Sequence, residues 1–262
     1  MYTYAGKTAL VTGASSGIGE AFVKELARRK MNLMLVARDE AALQTLAAKL
    51  TAEQGIRADV VAADLSQEAS ATRIAAEVAR LGVSIDLLVN NAGFMTYGHF
   101  ETNDPATERA EVMVNVAAVV DLCHAFVPGM LSRGEGAIIN LASIVAFQPV
   151  PYMAVYSGTK AFVVSFSMAL AEELRGRGVR VVTLCPGPTA TKFFERSNSA
   201  EVIRVGSHKP DAVVKTALRA LEQGRGLIVD GWKNTLMTYC SSVLPRAFTA
   251  RMAAQQTRPP AK

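Results

Sequence analysis

Cysteine, aromatic residues and charge are all scarce in this chain of 262 residues, which has three cysteines, 6% aromatic residues and 19% charged residues. Cys123, Cys185 and Cys240 are odd in number, far apart and form no C-x-x-C pair. That excludes a disulfide framework and points to free thiols in a reducing, cytoplasmic compartment. No run of about 18 uninterrupted apolar residues occurs, so no transmembrane helix is expected. Met1 to Lys7 lack the apolar core of a signal peptide. His99, His124 and His208 show no ligand spacing, so no metal is expected. The nucleophile motif G-x-S-x-G is absent, as are internal repeats, low-complexity segments and interior linkers. Acidic residues run short in one place only. The chain carries 28 Lys+Arg against 23 Asp+Glu, a net +5 with a pI near 9.2, which raises the question of nucleic acid. Residues 231–262 hold five of those cations (Lys233, Arg246, Arg251, Arg258, Lys262) and no acid. The rest of the chain is therefore balanced, and no nucleic-acid partner is expected.

Half the residues are hydrophobic, enough for one sizeable core, and they fall into a strict alternation. Short apolar runs at Thr8 to Thr12, Asn32 to Ala37, Ala58 to Ala63, Leu87 to Asn90, Ala137 to Leu141, Arg180 to Cys185 and Leu227 to Val229 read as buried strands. Longer stretches rich in Ala, Leu, Glu and Arg lie between them at Gly17 to Arg29, Glu40 to Glu53, Gln67 to Leu81, Thr107 to Met130, Val155 to Arg175 and Asp211 to Gln223, and read as helices. The expectation is an α/β protein with a Rossmann-type, doubly wound, seven-stranded parallel sheet and helices on both faces. Residues 1–230 form a single catalytic domain in this reading. Residues 231–262 are its basic, partly amphipathic C-terminal extension, disordered at the end. Pro186 to His208 lacks a clear strand and reads as a lid.

The first strand runs into Thr12-Gly13-Ala14-Ser15-Ser16-Gly17-Ile18-Gly19 and then a helix. Such a turn aims backbone N–H groups and the positive end of a helix dipole at an anion. Gly13 permits the sharp turn, Gly17 lets a pyrophosphate approach, and Gly19 lets helix and strand pack closely. At the end of the second strand Ala37 offers no carboxylate for a ribose hydroxyl, whereas Arg38 suits a 2′-phosphate. NADP(H) is therefore expected in preference to NAD(H), with the adjacent Asp39 as the one contrary feature. Polar residues also end later strands, at Asp64-Leu65, Asn90-Asn91-Ala92-Gly93 and Asn140 to Ser143. These ends converge on one crevice in an open parallel sheet. Tyr156 and Lys160, in Tyr156-Ser157-Gly158-Thr159-Lys160, share one helix face.

Together these pieces resemble the short-chain dehydrogenases/reductases of the classical branch, over about residues 6 to 230. The motifs are TGASSGIG, DL, NNAG, Asn115 in the long helix, Ser143, YSGTK, and PGPTAT from Pro186 to Thr191. The resemblance implies cofactor contacts by Gly13, Ser15, Ser16, Gly17, Ile18 and Gly19, by Asp64 and Leu65 at the adenine, and by Asn91, Ala92 and Gly93 on the adenosine ribose side. It also implies contacts by Pro186, Gly187, Thr189 and Thr191 near the nicotinamide, and a catalytic tetrad of Asn115, Ser143, Tyr156 and Lys160.

Hydride transfer to a carbonyl places negative charge on oxygen, so a proton donor and a second hydrogen-bond donor are needed there. Tyr156 and Ser143 supply them. Lys160 is expected to lower the phenol pKa and to contact the nicotinamide ribose alongside Tyr156, and Asn115 to orient a water. Phe94, Met95, Val145, Phe147, Met153, Phe193 and Phe194 offer an apolar substrate region. The expected substrate is an apolar or amphipathic carbonyl or alcohol. The alternative is a catalytically idle NADP-binding scaffold, or a membrane-surface protein using the basic tail. By resemblance the long helices pack against partner subunits in a homo-dimer or homo-tetramer. The tail, with Trp232, Leu236, Tyr239, Cys240 and Val243 at helical spacing, is expected to be a helix docked on the body or a neighbour with a frayed basic end, or a weak membrane contact.

Overall fold

Seven strands, all parallel, order the molecule: β1 (Thr8–Thr12), β2 (Asn32–Ala37), β3 (Ala58–Ala62), β4 (Leu87–Asn90), β5 (Gly136–Leu141), β6 (Val179–Cys185) and β7 (Leu227–Val229). They come from a computed structural model that describes residues 2–191, 193 and 208–259. The spatial order is β3-β2-β1-β4-β5-β6-β7. β1 is flanked by β2, in the register Thr8 opposite Asn32, and by β4, in the register Ala9 opposite Leu87. The chain reverses its direction of travel across the sheet between β1 and β4, and a crevice opens there at the carboxyl ends of the strands. The expected strands agree with these to within one residue at each end.

Helices cover both faces. On one, α1 (Gly17–Arg28), α2 (Glu40–Gln54) and the helix Pro210–Gln223 bury Phe22, Leu26, Leu43, Leu218 and Leu221 against the sheet. On the other lie α3 (Ser70–Arg80), α4 (Pro105–Val112), a π-helical turn at Met113–Ala117, α5 (Ala118–Arg133) and α6 (Ala154–Glu173). Ile74, Val78, Leu122, Phe126 and Met130 pack on the sheet there. Pro210–Gln223 is α7, and the chain closes with α8 (Trp232–Val243) and α9 (Arg246–Thr257).

Local chemistry explains where helices begin. Asp39 caps α2, its carboxylate accepting the Ala42 N–H at 3.0 Å, which satisfies one of the free donors of a helix start. Asp104 caps α4 through Ala106 and Thr107, with Pro105 at the first position, so this helix starts two residues before the expected Thr107. α3 starts later than expected because Asp64 folds the preceding residues into a turn, accepting Ser66 N–H and Oγ–H at 3.0 and 2.8 Å.

Two further expectations, on membrane spans and on the tail, bear comparison with the fold. The helical runs Pro105–Arg133 and Ala154–Glu173 are long and apolar enough to cross a bilayer by length and composition, although each contains polar residues that interrupt an apolar run. In this fold both lie on the sheet. In the tail, α8 sits on the body through its polar side, at Thr238 and Ser241, and its apolar row faces outward: Trp232 is 74% and Tyr239 69% accessible, and Cys240 is also exposed. Beyond Pro245 the chain forms a further helix, α9, at Arg246–Thr257. The expected disorder at the extreme C-terminus falls on residues 260–262, outside the described residues.

Candidate active site

One cleft of about 1190 Å³ runs along the carboxyl edge of the sheet, larger than a pocket for a single small ligand. Gly13, Ser15, Ser16, Gly17 and Ile18 line one end, followed by Arg38, Asp64, Leu65, Asn91, Ala92 and Gly93. Ser143, Tyr156 and Lys160 also line the cleft, as do Pro186, Gly187, Thr189 and Thr191. The motifs thus meet despite their separation in sequence: a Cβ on Gly17 would stand 3.1 Å from Thr191 Cγ2. Two of the expected residues stand behind the wall. Gly19 packs α1 against the Gly13 carbonyl, and Asn115 is fully buried in the π turn.

The chemistry-bearing side chains are held on rigid elements. Ser143 stands two residues beyond the end of β5, and its hydroxyl accepts the Val145 N–H at 3.4 Å. Tyr156 stands in the first turn of α6 with Lys160 one turn on, its Nζ 5.8 Å from the phenol ring centre. Lys160 Nζ donates to the Leu141 carbonyl at 2.8 Å. Burial is the main influence on both groups. It lowers the Lys160 ammonium to about 8, against the opposing pull of Glu111. It raises the Tyr156 phenol, with the Ser143 hydroxyl pulling the other way. The phenol is therefore raised by desolvation, where a lowering by Lys160 was expected.

Asn115 is committed to its neighbours. Its Nδ2 donates to the Phe94 carbonyl at 2.9 Å and to Thr159 Oγ1 at 3.2 Å, and its Oδ1 accepts the Phe94 N–H at 3.2 Å. It fixes the turn at Gly93, where a Cβ would stand 2.8 Å from Asn115 Oδ1 and 3.5 Å from Lys160 Nζ. Glycine is needed there because nothing larger fits between the two. The side chain of Asn115 thus pins backbone and is not turned into the cleft.

The substrate side is apolar. Phe94, Met95, Val145, Met153 and Phe193 line the cleft, and Met95, Val150 and Met153 cluster with Tyr156. Phe147 packs instead against Ala142, Val163 and Cys185, and Phe194 lies outside the described residues. So do residues 192 and 194–207, the interior of the expected lid. Its ends are fixed: Thr189 bridges to His208, whose Nδ1 contacts the buried Asp230 carboxylate, itself accepting Thr216 Oγ1 at 2.7 Å.

Sequence reasoning passed over four contributors and misread the role of a fifth residue, Asp39. Ala106, Ala110 and Val114 of α4 and its π extension line the cleft at a spacing of four, a periodicity visible in the sequence. Glu111 is fully buried, and its Oε2 accepts the Thr96 N–H and Oγ1–H at 2.8 and 2.7 Å. A lone glutamate on a helix reads as solvated, so no local signal marks it. Asp39 reads as a charge beside Arg38, yet it serves as a helix cap and makes no ion pair with Arg38.

The sheet order, the glycine turn and the Ser143–Tyr156–Lys160 crevice define a nicotinamide-dependent oxidoreductase acting on carbonyl or alcohol groups. Residues 7–202 match the family model described as short chain dehydrogenase. The chain belongs to this family. It is 33% identical over 222 residues to the very-long-chain 3-oxoacyl-CoA reductase of Bos taurus, covering 82% of this chain and 69% of that protein. The short-chain dehydrogenase from Sphingobium yanoikuyae in complex with NADPH superimposes with a TM-score of 0.83 at 30% identity, over 98% of this chain and 97% of that one. A short-chain dehydrogenase/reductase from Burkholderia phymatum in complex with NAD gives 0.84 at 27% identity, covering 100% of both.

Proposed function

We propose that the protein is an NADP(H)-dependent reductase of apolar or amphipathic ketones, with Tyr156 as the proton donor. The observation that carries this reading is the Tyr156 phenol buried among Met95, Val150 and Met153, with Ser143 and Lys160 beside it. When bound, the nicotinamide supplies the hydride. Reduction builds negative charge on the carbonyl oxygen, where Tyr156 gives a proton and Ser143 a second hydrogen bond. Burial keeps the phenol protonated, the form a donor requires. Lys160, anchored on Leu141, places positive charge near that oxygen, and Glu111 favours its ammonium form.

The residues present fit a phosphorylated dinucleotide. Ser15, Ser16 and the start of α1 suit a pyrophosphate. Arg38 is exposed at the cleft rim and suits a 2′-phosphate, while the Asp39 carboxylate that argued against NADP is used by α2. Similar structures are known with NADPH and with NAD, so the preference rests on Arg38 and Asp39. The name of the bovine relative puts long-chain 3-oxoacyl thioesters first among candidate substrates. We further propose a cytoplasmic homo-dimer or homo-tetramer formed through α5 and α6, the latter exposing Phe162 and Met168.

The experiment is NADPH oxidation against a panel of apolar ketones and 3-oxoacyl thioesters. The wild type turns over at least one of them, and Tyr156→Phe loses on the order of 10²–10⁴-fold in kcat. Undiminished activity in the variant overturns the assignment.

A further inference from the structure

The last two helices pack inside out. Their inward contacts are made by small or polar residues, Thr238, Thr249 and Ala253, all under 5% accessible. Their large apolar residues point away from the body. Of the twelve large hydrophobic side chains left exposed among the described residues, eight lie here: Trp232, Leu236, Met237, Tyr239, Val243, Leu244, Phe248 and Met252. Concentrated exposure of this kind on a water-soluble face marks a contact surface. Trp232, Leu236, Tyr239 and Val243 recur along one side of α8 at the spacing of an amphipathic helix.

Charge selects the partner. Lys233, Arg246, Arg251 and Arg258 are exposed among these residues, and the segment contains no acid to answer them. A two-fold contact would set this cationic face against itself, so a second copy is disfavoured by like-charge repulsion. A bilayer with anionic headgroups satisfies both features at once, since apolar side chains enter the acyl boundary while Lys and Arg reach the phosphates.

We propose that α8 and α9 are a docking surface for an anionic lipid bilayer. The surface adjoins the substrate side of the cleft. Ser241 Oγ donates to Gln148 Oε1 at 2.9 Å, Thr257 Oγ1 donates to the Pro151 carbonyl at 3.0 Å, and Tyr97 Oη–H donates to the Thr257 carbonyl at 3.0 Å. These bonds tie the helices to the loops that carry Met95 and Met153, so docking holds the mouth of the cleft at the membrane. The inference rests on surface composition and stands whether or not the proposed activity does.

Trp232 is the only tryptophan in the chain, so its fluorescence reports on this surface alone. The full-length protein is titrated with phosphatidylcholine vesicles, with and without phosphatidylglycerol, and pelleted with them. The expected result is a blue shift of Trp232 emission and co-sedimentation with anionic vesicles only. Leu236→Ser with Val243→Ser, or Arg246→Glu with Arg251→Glu, weakens binding by roughly tenfold or more. Added salt weakens it too. All four side chains project into solvent, and unchanged circular dichroism and NADPH binding confirm that the variants fold. No shift and no sedimentation at low salt overturns the proposal. So does a self-association, seen by analytical ultracentrifugation, that the same substitutions abolish while vesicles leave Trp232 unmoved.

Discussion

Thr12 and Asn91 hold each other: the Thr12 hydroxyl accepts the Asn91 N–H at 3.0 Å, and Asn91 Nδ2 donates to the Thr12 carbonyl at 2.8 Å. The same hydroxyl accepts the Ala92 N–H at 3.0 Å. One buried threonine thus clamps the glycine turn after β1 to the NNAG segment after β4, on either side of the point where the sheet order reverses. Thr12→Val keeps the shape, strands the Ala92 N–H and leaves the Asn91 N–H with the Val89 carbonyl alone, at a cost of about 1–3 kcal/mol. Thermal unfolding is expected to show a midpoint lowered by about 2–4 °C for each kcal/mol, with weaker cofactor binding. Thr12→Ser restores both.

The same glycine-to-alanine change has opposite signs at two sites. At Gly19 the added methyl would stand 2.2 Å from the Gly13 carbonyl oxygen and 2.5 Å from Asn91 Nδ2. The backbone of the turn must move, at about 1–3 kcal/mol or more, and calorimetric titration with NADPH is expected to show at least tenfold weaker binding. Gly158, exposed on α6, has no atom within 4 Å of its would-be Cβ. Gly158→Ala is expected to stabilise the protein by about 0.5–1 kcal/mol, measured by urea denaturation.

Arg38→Ala is expected to weaken NADPH by roughly tenfold to a hundredfold, the value of a charged hydrogen-bonded contact, and to leave NADH nearly unchanged. Fluorescence titration with both nucleotides checks this. Equal loss for both would place Arg38 on the adenine and not on the 2′-phosphate.

Lys160 makes stability depend on alkaline pH. Its folded pKa of about 8 lies below the ordinary 10.5. Below about pH 8 both folded and unfolded chains carry the charge, and the fold bears the cost of burying it. Between the two values the unfolded chain holds more proton, so stability rises with pH by up to about 3 kcal/mol. Lys160→Met is expected to be inactive, more stable than wild type near pH 7, and no more stable near pH 10, by denaturant unfolding at each pH. Glu111→Gln removes the carboxylate that favours the ammonium. The basic limb of the kcat/KM profile is then expected to move to lower pH.

The sheet was legible in the sequence because each strand is a short apolar run between turn-forming residues, buried on both faces by helices. The site was legible as motifs because a parallel sheet delivers its strand ends to one edge, whatever their spacing along the chain. What escaped were relationships between distant residues. Thr96 with Glu111 and His208 with Asp230 pair across loops, and no local pattern announces a buried carboxylate. The direction of the Tyr156 shift escaped for a related reason, since desolvation depends on everything packed around the ring. The tail showed its periodicity but not its orientation, because a row of apolar residues looks the same facing a core or facing solvent.

The π turn at Met113–Ala117 holds one more residue than an α-helical turn, with Ala118 N–H reaching back to the Met113 carbonyl. A residue of α-helix turns through about 100°, so this surplus sets the phase between two halves of one rod. α5 keeps Leu122, Phe126 and Met130 seated in the core, while α4 separately keeps Ala106 and Ala110 on the cleft and Glu111 on Thr96. Losing a single codon there would rotate the whole cleft wall and leave the core in place. For this wall the smallest evolutionary step with a large effect is therefore a change of chain length, not of residue type.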